Sequence, residues 1–209
     1  MSLKLQVDQQ LARRAGPPEL KLQLGCGTNL LPDWLNTDAM PSPLVDYLDC
    51  TRRFPFSDNA FAAVFCEHMI EHMEKAQAWF MVQEIFRVLR PQGRFRVVTP
   101  SLENLARLVL EPESAAAQNY LGFCRRFLND PQAQVWDAIN LAFYGHGHRH
   151  IYGADELGAM LRQAGFVDLR TMPAGTYGEP IFNGVDGHGK VVGEDVNAFE
   201  AFAIEAGKP

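Results

Sequence analysis

Cysteine is scarce and scattered: Cys26, Cys50, Cys66 and Cys124 form no C-x-x-C pair, which argues against a structural zinc site and a disulfide framework and predicts reduced thiols. Long apolar runs are missing too. No stretch approaches the roughly 18 apolar residues needed to span a bilayer, and the N-terminus lacks the apolar core of a secretory signal, so a cytoplasmic chain without a membrane partner is expected. Basic charge is in deficit, with 19 Lys and Arg against 25 Asp and Glu and a net charge of -6. Nucleic-acid affinity rests largely on Lys and Arg neutralising phosphates, so DNA and RNA are disfavoured as partners. Thirteen prolines and 17 glycines are too few for a disordered chain. No internal repeat or low-complexity segment interrupts the 209 residues.

What is present fits one globular domain over residues 1–209, since 47% hydrophobic residues in a chain of this length can bury a core unaided. Residues 1–18 read as an N-terminal arm closed by Gly16-Pro17-Pro18. Leu20-Lys21-Leu22-Gln23-Leu24 then alternates like a strand and empties into Gly25-Cys26-Gly27. Further strands are expected at 34–38, 44–49, 61–66, 95–98, 166–171 and 199–206. The run Phe61-Ala62-Ala63-Val64-Phe65-Cys66 is uninterrupted, as for a strand buried on both faces of a parallel sheet.

A helix is predicted over 74–89, where Met81, Ile85, Val88 and Leu89 recur at helical spacing before Pro91-Gln92-Gly93. Another carries Leu157, Met160, Leu161 and Ala164 and ends at Gly165. Strands alternating with helices or turns predict an α/β, Rossmann-like, mostly parallel seven-stranded sheet with an antiparallel last strand. Between Ser101, a plausible N-cap, and Tyr144 the pattern is helical throughout. This predicts a lid insertion over about 101–150, leaving the sheet where its strands end.

The first strand's glycine turn lets backbone N–H groups approach a ligand closely, although a mere strand-terminating turn reads the same way. A dinucleotide site wants a third glycine three residues after the second. Here that residue is Leu30, which disfavours nicotinamide and flavin dinucleotides. Asp38, ending the second expected strand, can accept both hydroxyls of a ribose, and Asp49, ending the third, can accept from an adenine amine. Either carboxylate could instead be a solvated loop residue. Only about ten residues separate Gly27 from Asp38, so the first crossover must be a very short helix or a loop. The N-terminal arm is then a candidate cover for the exposed sheet face.

In order and spacing, five stretches and two acidic residues resemble a class I S-adenosylmethionine-dependent methyltransferase of the type 11-like group. The stretches are Leu24-Gly25-Cys26-Gly27, Pro55-Phe56-Ser57-Asp58-Asn59-Ala60-Phe61, Glu67-His68-Met69-Ile70-Glu71-His72, Val88-Leu89-Arg90-Pro91-Gln92-Gly93 and Leu161-Arg162-Gln163-Ala164-Gly165-Phe166, with Asp38 and Asp49 between the first two. The resemblance implies S-adenosyl-L-methionine as cofactor and S-adenosyl-L-homocysteine as product. By the same resemblance Gly25, Cys26 and Gly27 hold the methionine part, Asp38 with Ala39 the ribose, and Asp49 with Cys50 the adenine. Glu67 and His68 then lie beside the sulfonium.

Three motifs remain. His68-Met69-Ile70-Glu71-His72 matches H-x-x-E-H, in which two His on one helix bind zinc while Glu acts as base. A zinc hydrolase is therefore an alternative, and a cofactor-binding module without transfer is another. In Gly145-His146-Gly147-His148-Arg149-His150, followed by Tyr152, the histidines suit a substrate pocket, a solvated loop or a metal. The expectation adopted is a pocket for a small-molecule acceptor, with His146 and Tyr152 contacting it, His148 and His150 as candidate bases, and no metal ligands. Residues 183–189 could be a mobile substrate loop or a long turn, and the turn is the reading adopted. Methyl transfer needs alignment and sometimes a base rather than a triad, which suits a sequence with no triad. The acceptor, the methylated atom and the oligomeric state leave no trace in the sequence.

Overall fold

The structure, a computed structural model, describes residues 20–209. The N-terminal arm expected over residues 1–18, and its use as a sheet cover, lie outside the described residues. Seven strands form one sheet: β1 (Lys21–Leu24), β2 (Leu35–Asp38), β3 (Asp46–Tyr47), β4 (Phe61–Glu67), β5 (Leu89–Pro100), β6 (Val167–Pro173) and β7 (Ala201–Gly207). Their order is β3-β2-β1-β4-β5-β7-β6. The first five are parallel, and β7 runs antiparallel to both β5 and β6. This is the Rossmann-like α/β sheet that the strand pattern predicts. Its order reverses at β1, which has β2 on one side and β4 on the other, and ligands of such sheets bind outside the carboxyl ends of the strands at that switch.

Seven helices accompany the sheet among the described residues: α1 (Lys75–Val88), α2 (Leu102–Leu110), α3 (Ala115–Leu128), α4 (Val135–Asn140), α5 (Ala154–Ala164), α6 (Gly189–Val192) and α7 (Glu194–Glu200). A π-helical turn, Leu141–Gly145, continues α4. A Glu74/Gln77 capping box starts α1. Ser101 accepts the Asn104 N–H at 3.1 Å and caps α2, as expected, and Gly165 at φ 107 ends α5.

Burial follows the apolar pattern. The six apolar residues of β4 are all buried, as is the whole of β7, each large side chain contributing about 1.5–3 kcal/mol relative to exposure. Two expected boundaries differ. β3 is only two residues long because Ser42 and Val45 pair with each other and close the preceding residues into a turn. β5 begins at Leu89, directly after α1, and keeps Pro91-Gln92-Gly93 inside it as an irregularity, with Gln92 at φ 62 and the register to β4 shifting between Phe61 and Ala63. The helix-stopping signal is real; it is also the start of a strand.

One face of the sheet is covered by α1 and α5, through Met81, Ile85, Val88, Leu157 and Leu161 against Leu22, Val64 and Val97. The opposite face has no helix between β1 and β2, as the short spacing predicts. There Ala63, Phe65, Val98 and Ala203 pack under Leu31, Trp34, Phe182 and Val185. Residues 174–188, running from β6 toward α6, thus supply much of that cover. The helices after β5 build a separate core in which Leu105, Leu108, Tyr120, Leu121, Cys124 and Leu141 pack with Val196 and Phe199 of α7. No helix among the described residues is long and apolar enough to cross a membrane.

Candidate active site

Gly25 follows β1 at φ 61, a backbone conformation cheap for glycine. A Cβ there would lie 2.5 Å from Met69 Cγ, so the bare backbone is what lets the β4 tip close over the turn, while a Cβ on Gly27 would meet open space. The Cys26 N–H donates to Thr37 O at 3.0 Å and ties the turn to β2. At the end of β2, Asp38 accepts the Gly27 N–H at 3.0 Å and the Met40 N–H at 2.9 Å, one on each carboxylate oxygen. The half-exposed carboxylate is therefore held against an open glycine backbone, with Ala39 exposed beside it.

Asp49 lies two residues past β3 and serves its own turn, accepting the Thr51 N–H at 2.9 Å and the Thr51 hydroxyl at 2.6 Å. Those two donors, the hydroxyl foremost, hold its carboxyl below the ordinary range, aided by Arg52. Burial, reinforced by Asp49 and Asp38, pushes the Cys50 thiol up to about 12. Burial and Asp38 bring Cys26 to about 11. Neither thiol is ionised at neutral pH, so neither is a nucleophile.

Glu67 ends β4, and its two oxygens accept the Gly187 N–H at 2.8 Å and the His188 N–H at 3.1 Å. Burial raises its carboxyl, and the two amides offset part of that rise. It braces residues 174–188 to the strand tip. The stretch 183–189, expected as a turn rather than a substrate loop, is thus tied to the strand tip and brings His188 to the site.

His68 adopts φ 47, costly for a non-glycine residue and typical of functional sites. Its Nδ1 meets Glu71 Oε1 at 3.1 Å, and Glu71 Oε2 accepts the Thr99 hydroxyl at 3.0 Å. The Nε2 of His68 is buried without a partner. Burial works against a charged His68 ring, but Glu71, Glu200 and Glu67 outweigh it and hold the ring above the ordinary range. The left-handed residue and the single 3-10 turn Ile70–His72 break the helix on which the H-x-x-E-H zinc motif depends. Glu71 is wholly buried there, so the zinc-hydrolase arrangement of His68, Glu71 and His72 is not formed.

A cavity of about 440 Å³ opens at this point. His68, His72, His146, His148, His188 and Glu200 line it with Phe123, Phe127, Val191 and Val192. The lid brings His146 and His148 to it, with ring centroids 5.5 Å apart and His148 4.8 Å from His72. Nδ1 of His148 donates to Ala142 O at 2.5 Å. Burial pushes both His146 and His148 below the usual histidine range.

Two expected site residues do not reach the cavity. His150 turns outward to Glu156, 3.0 Å away, because the Arg149 and His150 N–H groups both bond Glu71 O and redirect the chain. Tyr152 is wholly buried in the main core. Conversely, His188 and Glu200 were not singled out from the sequence; Gly187-His188-Gly189 repeats the glycine-flanked histidine pattern of the lid, but nothing local links it to residue 68.

A family of methyltransferase domains matches residues 22–97, from β1 into β5. Over that stretch the chain is similar to methyltransferase domains, and its sheet has the Rossmann-like architecture of class I methyltransferases. Among solved structures, a SAM-dependent methyltransferase from Archaeoglobus fulgidus superposes with a TM-score of 0.54 at 13% identity, over 98% of this chain and 94% of that one. One from Thermotoga maritima, described as a possible histamine N-methyltransferase, gives 0.50 at 15% identity, over 97% and 88%. At these identities the likeness shows the fold. No curated protein matches the sequence.

Proposed function

We infer that this chain transfers a methyl group from S-adenosylmethionine to a nucleophilic oxygen or nitrogen of a small molecule held in the histidine-lined cavity. The observation that carries this reading is adjacency: His68, in the cavity wall, directly follows Glu67 at the end of β4, and its neighbour Met69 lies over Gly25 of the glycine turn. In this reading Gly25, Cys26 and Gly27 hold the methionine end, Asp38 with Ala39 takes the ribose, and Asp49 with Cys50 flanks the adenine. The open face of Gly27 and the fixed Asp38 carboxylate suit such a ligand. The cofactor supplies a methyl group already activated on a sulfonium.

The protein's part is alignment, exclusion of water by the lid, and removal of a proton from the acceptor. His148 suits the last task. With Nδ1–H given to Ala142 O, its Nε2 is left as the acceptor, and its lowered proton affinity keeps the ring neutral near pH 7. Phe123, Phe127, Val191 and Val192 give the acceptor an apolar flank. The net charge of -6 weighs against a nucleic-acid substrate, and four free thiols accord with a reducing, cytoplasmic setting.

The test is incubation with methyl-labelled cofactor and fractionated small-molecule extract. Transfer of label with release of S-adenosylhomocysteine is expected. A folded protein that binds the cofactor yet never releases the product from any extract would overturn the enzymatic reading.

A further inference from the structure

We propose that His68, His188 and Glu200 form a binding site for one divalent transition-metal ion of the zinc class, opening into the cavity. One ligand atom from each of the three lies within 4.8 Å of the others. The His68 and His188 rings are 4.1 Å apart, and Nε2 of His188 meets Glu200 Oε1 at 2.5 Å. Two imidazoles and one carboxylate are a donor set used by zinc and by ferrous iron, with a remaining coordination position left open to solvent or ligand.

Three features favour a metal over a purely structural cluster. The His68 Nε2 atom is buried yet has no hydrogen-bond partner, an arrangement that is costly unless something occupies that lone pair. Its other nitrogen is held by Glu71, itself held by Thr99. That is the carboxylate–histidine–metal relay by which outer groups fix the tautomer and aim the ligating nitrogen. Charge also balances, since Glu71 and Glu200 together offset a divalent ion.

The ligands are mounted on separate parts of the fold that the protein fixes firmly. His68 follows β4, the His188 backbone is bonded to Glu67, and Glu200 ends α7 where it passes into β7. With ligand bonds of about 2.0–2.1 Å, tetrahedral ligand atoms stand about 3.3 Å apart. The His188–Glu200 contact must therefore open by less than about 1 Å, within the reach of side-chain rotation. The neighbouring group Glu71, His72 and His148 is less suited, because Glu71 is committed to His68 and Thr99, and His148 gives Nδ1 to Ala142 O.

The experiment uses tag-free protein stripped with chelator and titrated with zinc(II), then with cobalt(II), whose visible bands report coordination. One ion per chain with micromolar or tighter affinity is expected, with a four- or five-coordinate cobalt spectrum. His188→Ala and Glu200→Gln should each weaken zinc binding at least tenfold while melting like the native protein in chelator. Glu71→Gln should weaken it about 10–100-fold through loss of the relay. His72→Ala should leave it unchanged. Failure to bind either ion overturns the proposal, as does binding that survives His188→Ala and Glu200→Gln. These readouts do not depend on methyl transfer, so the site and the proposed activity stand or fall separately.

Discussion

Arg96 and Asp186 lie 90 positions apart and meet in the interior as a bidentate pair, Nε to Oδ1 at 2.8 Å and Nη2 to Oδ2 at 2.5 Å, with side chains 0% and 3% exposed. Arg96 also donates to Glu205 at 2.8 Å and lies 4.6 Å from the Tyr177 ring centroid. Asp186 accepts the Gly175 N–H at 2.9 Å, closing the loop that covers the sheet. The next two residues are those that bond Glu67. The pair therefore mounts His188 on the β4 tip.

Removing one partner of a buried pair strands the other charge. Arg96→Met should destabilise the protein by about 3–5 kcal/mol, because two carboxylates would be left without their cation. Denaturant unfolding measures this, and a loss under about 1 kcal/mol would show the network to be dispensable.

Asp38→Ala tests the cofactor turn. The ribose would lose a charged acceptor and Gly27 its anchor, so S-adenosylhomocysteine affinity should fall by about 1.5–3 kcal/mol, roughly 10- to 150-fold. Melting without ligand should change little, since the carboxylate is half exposed. Calorimetry giving an unchanged affinity would place the ribose elsewhere.

Glu84 of α1 accepts the Phe54 N–H at 2.7 Å and two Arg87 donors at 2.6 and 2.8 Å. Arg87 in turn bonds Phe54 O, Phe56 O and Asp58. Burial would raise the Glu84 carboxyl, but Arg87 and the Phe54 amide outweigh it and hold it below the ordinary range. A carboxyl depressed by folding stabilises above its unfolded pKa, about 4.3, and that stability is lost as pH falls through the folded value. Glu84→Gln should therefore cost about 1.5–3 kcal/mol at pH 7, and progressively less below about pH 4. A deficit that stays constant down to pH 3 would assign it to packing.

What could be read from the sequence was local. The buried run of β4, the Ser101 cap, the Gly165 stop and the missing helix between Gly27 and Asp38 each depend on neighbours within a turn or a strand. Nonlocal features were hidden. Arg96 sits in a strand of alternating arginines, and its partner Asp186 arrives from a loop beyond β6. His188 and Glu200 likewise join His68 only through tertiary packing. The H-x-H-x-H spacing revealed a histidine cluster, but not that the Glu71 carbonyl would turn His150 away.

That turn separates two histidines otherwise alike in sequence, and their substitution tests the lid. His148 lines the cavity, holds a fixed tautomer and is pushed by burial toward the neutral ring, so it can accept a proton from an acceptor hydroxyl or amine. Nε2 of His150 meets the Glu156 carboxylate on α5 at 3.0 Å, and Glu156 also meets Lys75. With an acceptor in hand, His148→Ala should lower kcat by about 10²–10⁴-fold, the usual contribution of a positioned base. Cofactor affinity should stay within tenfold, because the residues proposed to hold the cofactor lie on the sheet. His150→Ala should change kcat less than threefold, an exposed pair of this kind being worth about 1 kcal/mol or less of stability. Equal losses for both variants would mean that the lid acts through its overall packing. A loss confined to KM in His148→Ala would make that residue a binding contact and leave proton removal to water or to another ring in the cavity.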